Sequence, residues 1–171
     1  NETNHHDIRV ADTYKSMGLT LHELNKSENA IEALNHAITI YRKLGRNHSI
    51  ASCLRSLARV HGDTGQYQSG KEALLESLDI SIRVQDGKSE ALCFHELGFL
   101  EWKNGNDGKE EQYYLKCLEI CRAEEHLLGE ADVLRDLARN AKRNNSTKKS
   151  KELLALCNEI RLKIGLEQIS I

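Results

Sequence analysis

A forty-residue repeat constrains this chain more than any other feature. Ala11, Ala51, Ala91 and Ala131 stand forty residues apart, and so do Ile40, Ile80, Ile120 and Ile160. Met17, Leu57, Leu97 and Leu137 keep the same spacing, each followed by Gly18, Ala58, Gly98 or Ala138. Two further columns read Leu34, Leu74, Tyr114, Leu154 and Ala37, Ser77, Cys117, Cys157. A fixed period of this size marks a stack of similar supersecondary units.

Within each unit the apolar residues recur at helical spacing. Breakers such as Thr64-Gly65 and Asn104-Gly105-Asn106 divide each unit into two helices, and Gly45-Arg46-Asn47 or Asp86-Gly87 separate the units. The expected helices run near 8–24, 27–44, 48–64, 67–84, 88–104, 107–124, 128–144 and 147–164. The sequence contains no proline and few aromatics, and strand-type alternation is absent. A small residue in the first helix lets the second approach closely, and the Met/Leu column with the Leu/Tyr column fills the seam. A lone helix pair cannot bury both faces, so the pairs must stack. The expected fold is all-α: a right-handed α-solenoid of four helix-turn-helix repeats with eight antiparallel helices. The repeats fall near 8–46, 47–86, 87–126 and 127–165 in a single domain. The abrupt start at Asn1–Asp7 suggests a flexible end of a piece cut from a longer protein, and the residues from Gly165 suggest the start of a capping helix.

The columns resemble the tetratricopeptide repeat, whose pattern is W-x2-L-G-x2-Y followed by a small residue, an aromatic and Ala. The first unit reads Tyr14-x2-Met17-Gly18-x2-Leu21, then Ala30, Leu34 and Ala37; the third reads Phe94-x2-Leu97-Gly98-x2-Glu101, then Tyr114 and Cys117. The resemblance spans residues 8 to 164. The period is forty rather than thirty-four, similar to Pins-type spindle-orientation adaptors, kinesin light chains and MalT-like regulators. The missing Pro implies that the extra residues lengthen the second helix and the inter-unit turn. Ala30 is replaced by Gly70, Glu110 and Ser150 in the later units. Glu110 is expected to loosen the third pair, and the polar Asn145 and Ser150 suit a terminal unit.

The resemblance also implies a concave face lined by the second, fifth, ninth and twelfth positions of each first helix. These positions supply a row of cations, with apolar side chains among them. The peptide-binding candidates are Lys15, Leu19, Arg55, Arg59, Leu92, His95, Phe99, Trp102, Arg135, Arg139 and Lys142. Ordered cations on one face suit an acidic extended ligand, because guanidinium groups hold carboxylates through paired hydrogen bonds. Phe99 and Trp102 suit one leucine or aromatic anchor. The family's clamp for chaperone C-terminal carboxylates is not reproduced: only Lys15 matches, while Leu19, Ser56, Leu92 and Glu96 stand at its other positions.

Composition narrows the remaining classes. The 171 residues carry a net charge of −2, which excludes a global polycation for nucleic acid. No run approaches the roughly 20 apolar residues of a membrane span. Five cysteines without a secretory signal read as free thiols in a reducing, cytoplasmic compartment. Cys53 shares a column with Cys93, and Cys117 shares one with Cys157, which reads as small buried side chains rather than metal or redox chemistry. No nucleophile–base order, phosphate loop or zinc motif occurs, so neither an enzyme nor a cofactor is expected. Arg139, Lys142, Arg143, Lys148, Lys149 and Lys151 form a basic run without an acid, read as a solvated cap that could alternatively touch nucleic acid or an anionic membrane. Acids just before it would allow head-to-tail self-association. The expected function is a non-enzymatic scaffold or adaptor that binds an acidic, partly apolar peptide in the concave groove. The alternative is a regulatory, sensor or autoinhibitory domain of a larger signalling ATPase or transcription regulator.

Overall fold

A computed structural model describes residues 2–171. The described residues form eight helices: α1 (Glu2–Glu23), α2 (Ser27–Lys43), α3 (Asn47–Asp63), α4 (Tyr67–Arg83), α5 (Gly87–Lys103), α6 (Asp107–Ala123), α7 (Leu127–Arg143) and α8 (Thr147–Lys163). The second residue of each of the seven three-residue connectors has a positive φ (Asn25, Gly45, Gly65, Gln85, Gly105, Glu125 and Asn145), and so does Gly165 after α8. After α2, the Gly45 N–H bonds the Arg42 carbonyl and the Arg46 N–H bonds the Tyr41 carbonyl. This left-handed Schellman stop ends a helix at a fixed point.

The repeat is therefore two equal halves of one twenty-residue element. From α2 onward every helix has 17 residues. The sequence places the extra length over a thirty-four-residue repeat in the second helix and the inter-unit turn; in the structure the first helices α3, α5 and α7 are as long as the second helices, and the turns within and between repeats are equal at three residues. The α1 helix begins at Glu2 and not near residue 8, because nothing between Thr3 and Asp7 is a helix breaker.

The contacts divide the chain into two compact units, Asn1–Asp86 and Gly87–Ile171. In the first, α1 packs on α2, α2 on α3 and α3 on α4. A Cβ at Gly18 would lie 2.7 Å from Leu34 Cγ and 3.3 Å from the Ala30 carbonyl oxygen, which explains the small residue at this column. Ala30, Leu34, Ala37, Tyr41, Ala51, Leu54, Ala58 and Leu74 are buried. Ser77 Oγ donates 2.9 Å to the Ala51 carbonyl across α3 and α4. Met17 departs from its column: it is 43% exposed, since no described helix pair precedes α1, whereas Leu57 is buried.

In the second unit, α5 packs on α6, α6 on α7 and α7 on α8. Its core holds Ala91, Tyr114, Cys117, Leu118, Ala131, Leu134, Leu137 and Cys157, with Phe94, Leu153 and Ile160 against it. Cys157 Sγ donates 3.1 Å to the Ala131 carbonyl, repeating the Ser77–Ala51 bond at a matched register. Ser150 is buried and satisfied by the Ala138 carbonyl at 2.9 Å, so its polarity serves the helix pair rather than a solvated cap. All five cysteines are buried, and none forms a disulfide among the described residues.

The residues after α8 do not form a capping helix. Ile169 packs on the core, and the Asn158 side chain bonds both its N–H (2.9 Å) and its carbonyl (3.0 Å). Asn158 thus holds an extended strap by its backbone, which leaves no helical hydrogen bonding there.

Candidate functional site

The candidate residues of the first unit lie on α1 and α3. Lys15 Nζ donates 3.0 Å to Ser52 Oγ on the neighbouring helix. Leu19 is 37% exposed, and Arg59 is also exposed. Arg55 is half-buried, and its Nη1 is turned inward without a hydrogen-bond partner. His22 reaches Asp63 at 2.6 Å, which ties α1 to α3.

Five candidates of the second unit, His95, Phe99, Trp102, Arg135 and Arg139, converge on one cavity of about 240 Å³ between α5, α6 and α7. Glu110, Tyr114, Asp136 and Arg143 complete the lining. Successive turns of α5 bring His95, Phe99 and Trp102 to one face at i, i+4 and i+7, and Arg135, Arg139 and Arg143 project from α7 at i, i+4 and i+8. Phe99 and Trp102 form an aromatic wall with ring centroids 5.2 Å apart. The Arg143 guanidinium lies 5.4 Å over the Trp102 ring, a favourable cation–π placement. Trp102 is 40% exposed.

The cations do not form a free row. Asp136 takes His95 Nε2 at 2.9 Å, Arg135 Nε at 3.1 Å and Arg139 Nη1 at 3.2 Å. Asp132 takes Arg135 Nη1 at 2.9 Å. Burial alone would lower the His95 pKa, but the Asp136 hydrogen bond and the charges of Asp136, Glu96 and Asp132 together raise it above 6.5. Burial alone would raise the Asp136 pKa, but the bonds from His95 and Arg135 bring it below 3.8. Each group thus favours the ionised form of the other. Burial, followed by the charges of Asp136 and Glu110, pushes the Tyr114 hydroxyl far above its usual value, so it stays a neutral donor.

Glu110 overturns its sequence reading. It is 2% exposed yet does not loosen the α5–α6 pair. Arg143 Nη2 donates to both of its oxygens at 2.7 and 2.6 Å, and Asn140 Nδ2 donates at 2.9 Å. At Gly98 the two helices approach so closely that a Cβ would lie 2.5 Å from the Tyr114 ring. Glu110 acts as a joint from α6 to α7.

Two candidates lie outside the cavity. Leu92 is exposed on α5. Lys142 donates 2.8 Å to the Ile171 carbonyl and is engaged by the strap. The basic run is partly neutralised, since Lys149 pairs with Glu111 and Arg143 with Glu110. Sequence reasoning missed the pocket roles of Asp136, Glu110 and Tyr114. The spacing of Asp132 and Asp136 around Arg135 carried a signal for the first, because both lie within one helical turn.

Among the described residues no group of three or more His, Cys, Asp or Glu side chains is placed to hold a metal. No helix among them is long and apolar enough to cross a membrane.

The paired helices and the small mixed pocket define an all-α repeat domain of the kind that serves protein interaction. The chain belongs to the tetratricopeptide-repeat family, whose sequence profiles match residues 9–83 and 91–124. No curated protein sequence matches the chain. Solved structures of similar fold include aspartyl phosphate phosphatase F from Bacillus subtilis, at 12% identity and a TM-score of 0.86 over 92% of this chain and 42% of that one. A second is the Rap conjugation gene regulator of plasmid pLS20 in complex with a Phr peptide, at 16% identity and a TM-score of 0.78 over 92% and 43%. A third is a signal transduction ATPase with numerous domains and a tetratricopeptide-repeat sensor, from Pyrococcus horikoshii, at 19% identity and a TM-score of 0.80 over 92% and 25%. The chain spans less than half the length of each of these three proteins.

Proposed function

We propose that the chain is a non-enzymatic adaptor module that binds an acidic, partly apolar peptide segment of a partner protein, with the pocket of α5, α6 and α7 as its anchor site. The observation that carries this reading is the meeting of the Phe99–Trp102 wall with Arg139 and the His95–Asp136–Arg135 cluster in one cavity. Such a cavity offers an apolar side chain a desolvated surface and offers a neighbouring carboxylate a guanidinium donor. The peptide bound by the pLS20 regulator shows that a protein of similar fold takes a peptide ligand. Five buried cysteines that form no disulfide among the described residues suit a reducing compartment, the cytoplasm. A second reading, a sensor domain of a larger signalling ATPase, is favoured by the likeness to the Pyrococcus protein. The pocket is smaller than the roughly 300 Å³ at which sites for whole drug-sized ligands begin, and this favours a peptide side chain over a small effector.

A peptide display screen of the 171-residue chain at two salt concentrations tests the proposal. Acidic sequences with a Leu, Phe or Trp anchor should be enriched. Binding should fall in Arg139→Glu and Trp102→Ala, whose side chains are substantially exposed, without loss of helical content. Failure to enrich any peptide, or binding indifferent to Arg139→Glu, would sink the anchor-site assignment.

A further inference from the structure

We infer that this pocket accepts one carboxylate together with one large apolar side chain, and does not gain from further acids. The inference rests on the peptide reading above and sharpens it, replacing a row of cations by a single positive charge. Four cationic side chains line the cavity: His95, Arg135, Arg139 and Arg143. Arg143 is matched by Glu110, with both carboxylate oxygens engaged. Of the other three, His95, Arg135 and Arg139 share Asp136, and Arg135 has Asp132 as well. Among these directly paired groups the cations exceed the carboxylates by one when His95 is protonated; Glu96, whose charge also acts on His95, is not among the residues that line the cavity.

The geometry assigns the excess positive charge to Arg139. It touches Asp136 through a single nitrogen at 3.2 Å, the longest ion pair in the cluster, and its side chain is 53% exposed. Arg135 is bound at both ends and largely covered. An incoming carboxylate therefore meets a guanidinium with open donors at the pocket mouth, and the exposed Trp102 face lies across the same cavity. A second carboxylate would face Asp136, Asp132 and Glu110 with no cation left to offset them. Like charges a few ångströms apart in a partly buried site repel by more than a screened surface contact returns. The cavity volume of about 240 Å³ agrees, holding one side chain and its neighbouring acid rather than an acidic tract.

The carboxylate can belong to a side chain next to the apolar residue or to the C-terminus of the apolar residue itself, and peptides separate the two sources. Trp102 is the chain's single tryptophan, so its fluorescence reports occupancy directly. The probes are acetyl-Gly-Gly-Glu-Leu-Gly-amide, the same peptide with Gln for Glu, a version with three consecutive Glu before Leu, and acetyl-Gly-Gly-Leu with a free C-terminus. Calorimetry supports each titration. The single-Glu peptide, the free-terminus peptide or both should bind, and whichever binds identifies the source. The Gln peptide should be about tenfold weaker than the single-Glu peptide if the side chain is the source, in keeping with one charge-assisted hydrogen-bonded contact. The triple-Glu peptide should stay within about threefold of the single-Glu peptide. Arg139→Gln should remove the preference for a carboxylate while leaving helical content intact. Tenfold or tighter binding of the triple-Glu peptide overturns the single-charge inference and leaves the acidic-peptide reading standing. Equal binding of the Glu, Gln and free-terminus peptides overturns the inference through its carboxylate requirement. No signal from any of the four overturns the peptide reading as well.

Discussion

Replacing Arg143 with Met tests whether the Glu110 joint holds the second unit together. The substitution keeps much of the apolar stem that lies near Trp102 and removes the guanidinium. Glu110, 2% exposed, is then left with Asn140 as its donor. Breaking a fully buried ion pair by removing one partner costs about 3–5 kcal/mol. The Arg143 side chain is 37% exposed, so water reaches the vacated space and part of that cost is recovered. The expected loss is about 2 kcal/mol, or a fall in Tm of about 4–8 °C for a chain of this size. Glu110→Ala restores the residue type that the first repeat carries at Ala30 and removes the buried charge, but leaves the buried Asn140 amide without this acceptor. Its expected cost is about 1–2 kcal/mol. The double variant should cost about as much as Glu110→Ala alone, because the stranded carboxylate is absent, giving a coupling energy of about 2 kcal/mol. Thermal and urea unfolding followed by circular dichroism at pH 7 measures all three. Additive losses, or an Arg143→Met loss below about 0.5 kcal/mol, would refute the reasoning and return Glu110 to its sequence reading as a loosening residue.

Two further perturbations follow from the same unit. Gly98→Ala places a Cβ 2.5 to 2.6 Å from the buried Tyr114 ring, and the strain of about 1–3 kcal/mol should exceed the roughly 1 kcal/mol gained in helix propensity; Gly98→Ala with Tyr114→Leu should recover most of the net loss in urea unfolding. The His95–Asp136 pair makes stability depend on pH. The His95 contribution is fully present below 6.5 and is lost as pH rises through its raised folded value, whereas the Asp136 contribution is present above 3.8 and is lost as pH falls through its lowered one. Stability measured by urea unfolding should therefore decline from pH 6 to pH 9, and His95→Gln should flatten that decline; an equal slope in the variant would assign it to other groups.

The sequence disclosed the helices because helix ends are local events. Each stop needs one left-handed residue and a three-residue connector, and Gly45, Gly65, Gly105, Gly165, Asn25 and Asn145 announce six of the eight. Gln85 and Glu125 adopt the same conformation without being Gly or Asn, and at Gln85 the breaker legible in the sequence is the adjacent Asp86-Gly87. Side-chain pairing between helices was not legible in this way. His95 meets Asp136, and His22 meets Asp63, at a separation of forty-one residues, one more than the repeat. That offset arises from the stagger of successive first helices, which no local pattern encodes. The cations of α7 therefore read as free when their acids lay one helical turn away on the same helix or across the seam. The strap from Leu166 onward was missed for a related reason: Asn158 recognises its backbone, and backbone recognition leaves no mark on the residues recognised.

The columns that agree and the columns that disagree carry different information. Where the four repeats match, as at Ala11, Ala51, Ala91 and Ala131, the position is a packing contact and reports the fold. The third repeat departs where the others stay small or aliphatic, with Tyr114 in place of Leu and Glu110 in place of Ala, Gly or Ser. Each departure is matched by a neighbour: Gly98 makes room for Tyr114, and Arg143 with Asn140 answers Glu110. Those departures, with Phe99 and Trp102 at first-helix positions where the other repeats carry Leu, Arg, His, Gly or Lys, are the walls of the pocket. A repeat that needed only to stack would gain nothing from a buried carboxylate, because an apolar residue of similar volume serves packing equally well or better. The compensated departures therefore support the proposal that the third repeat and the α7 face against it are the part of the array shaped for a ligand rather than for stacking.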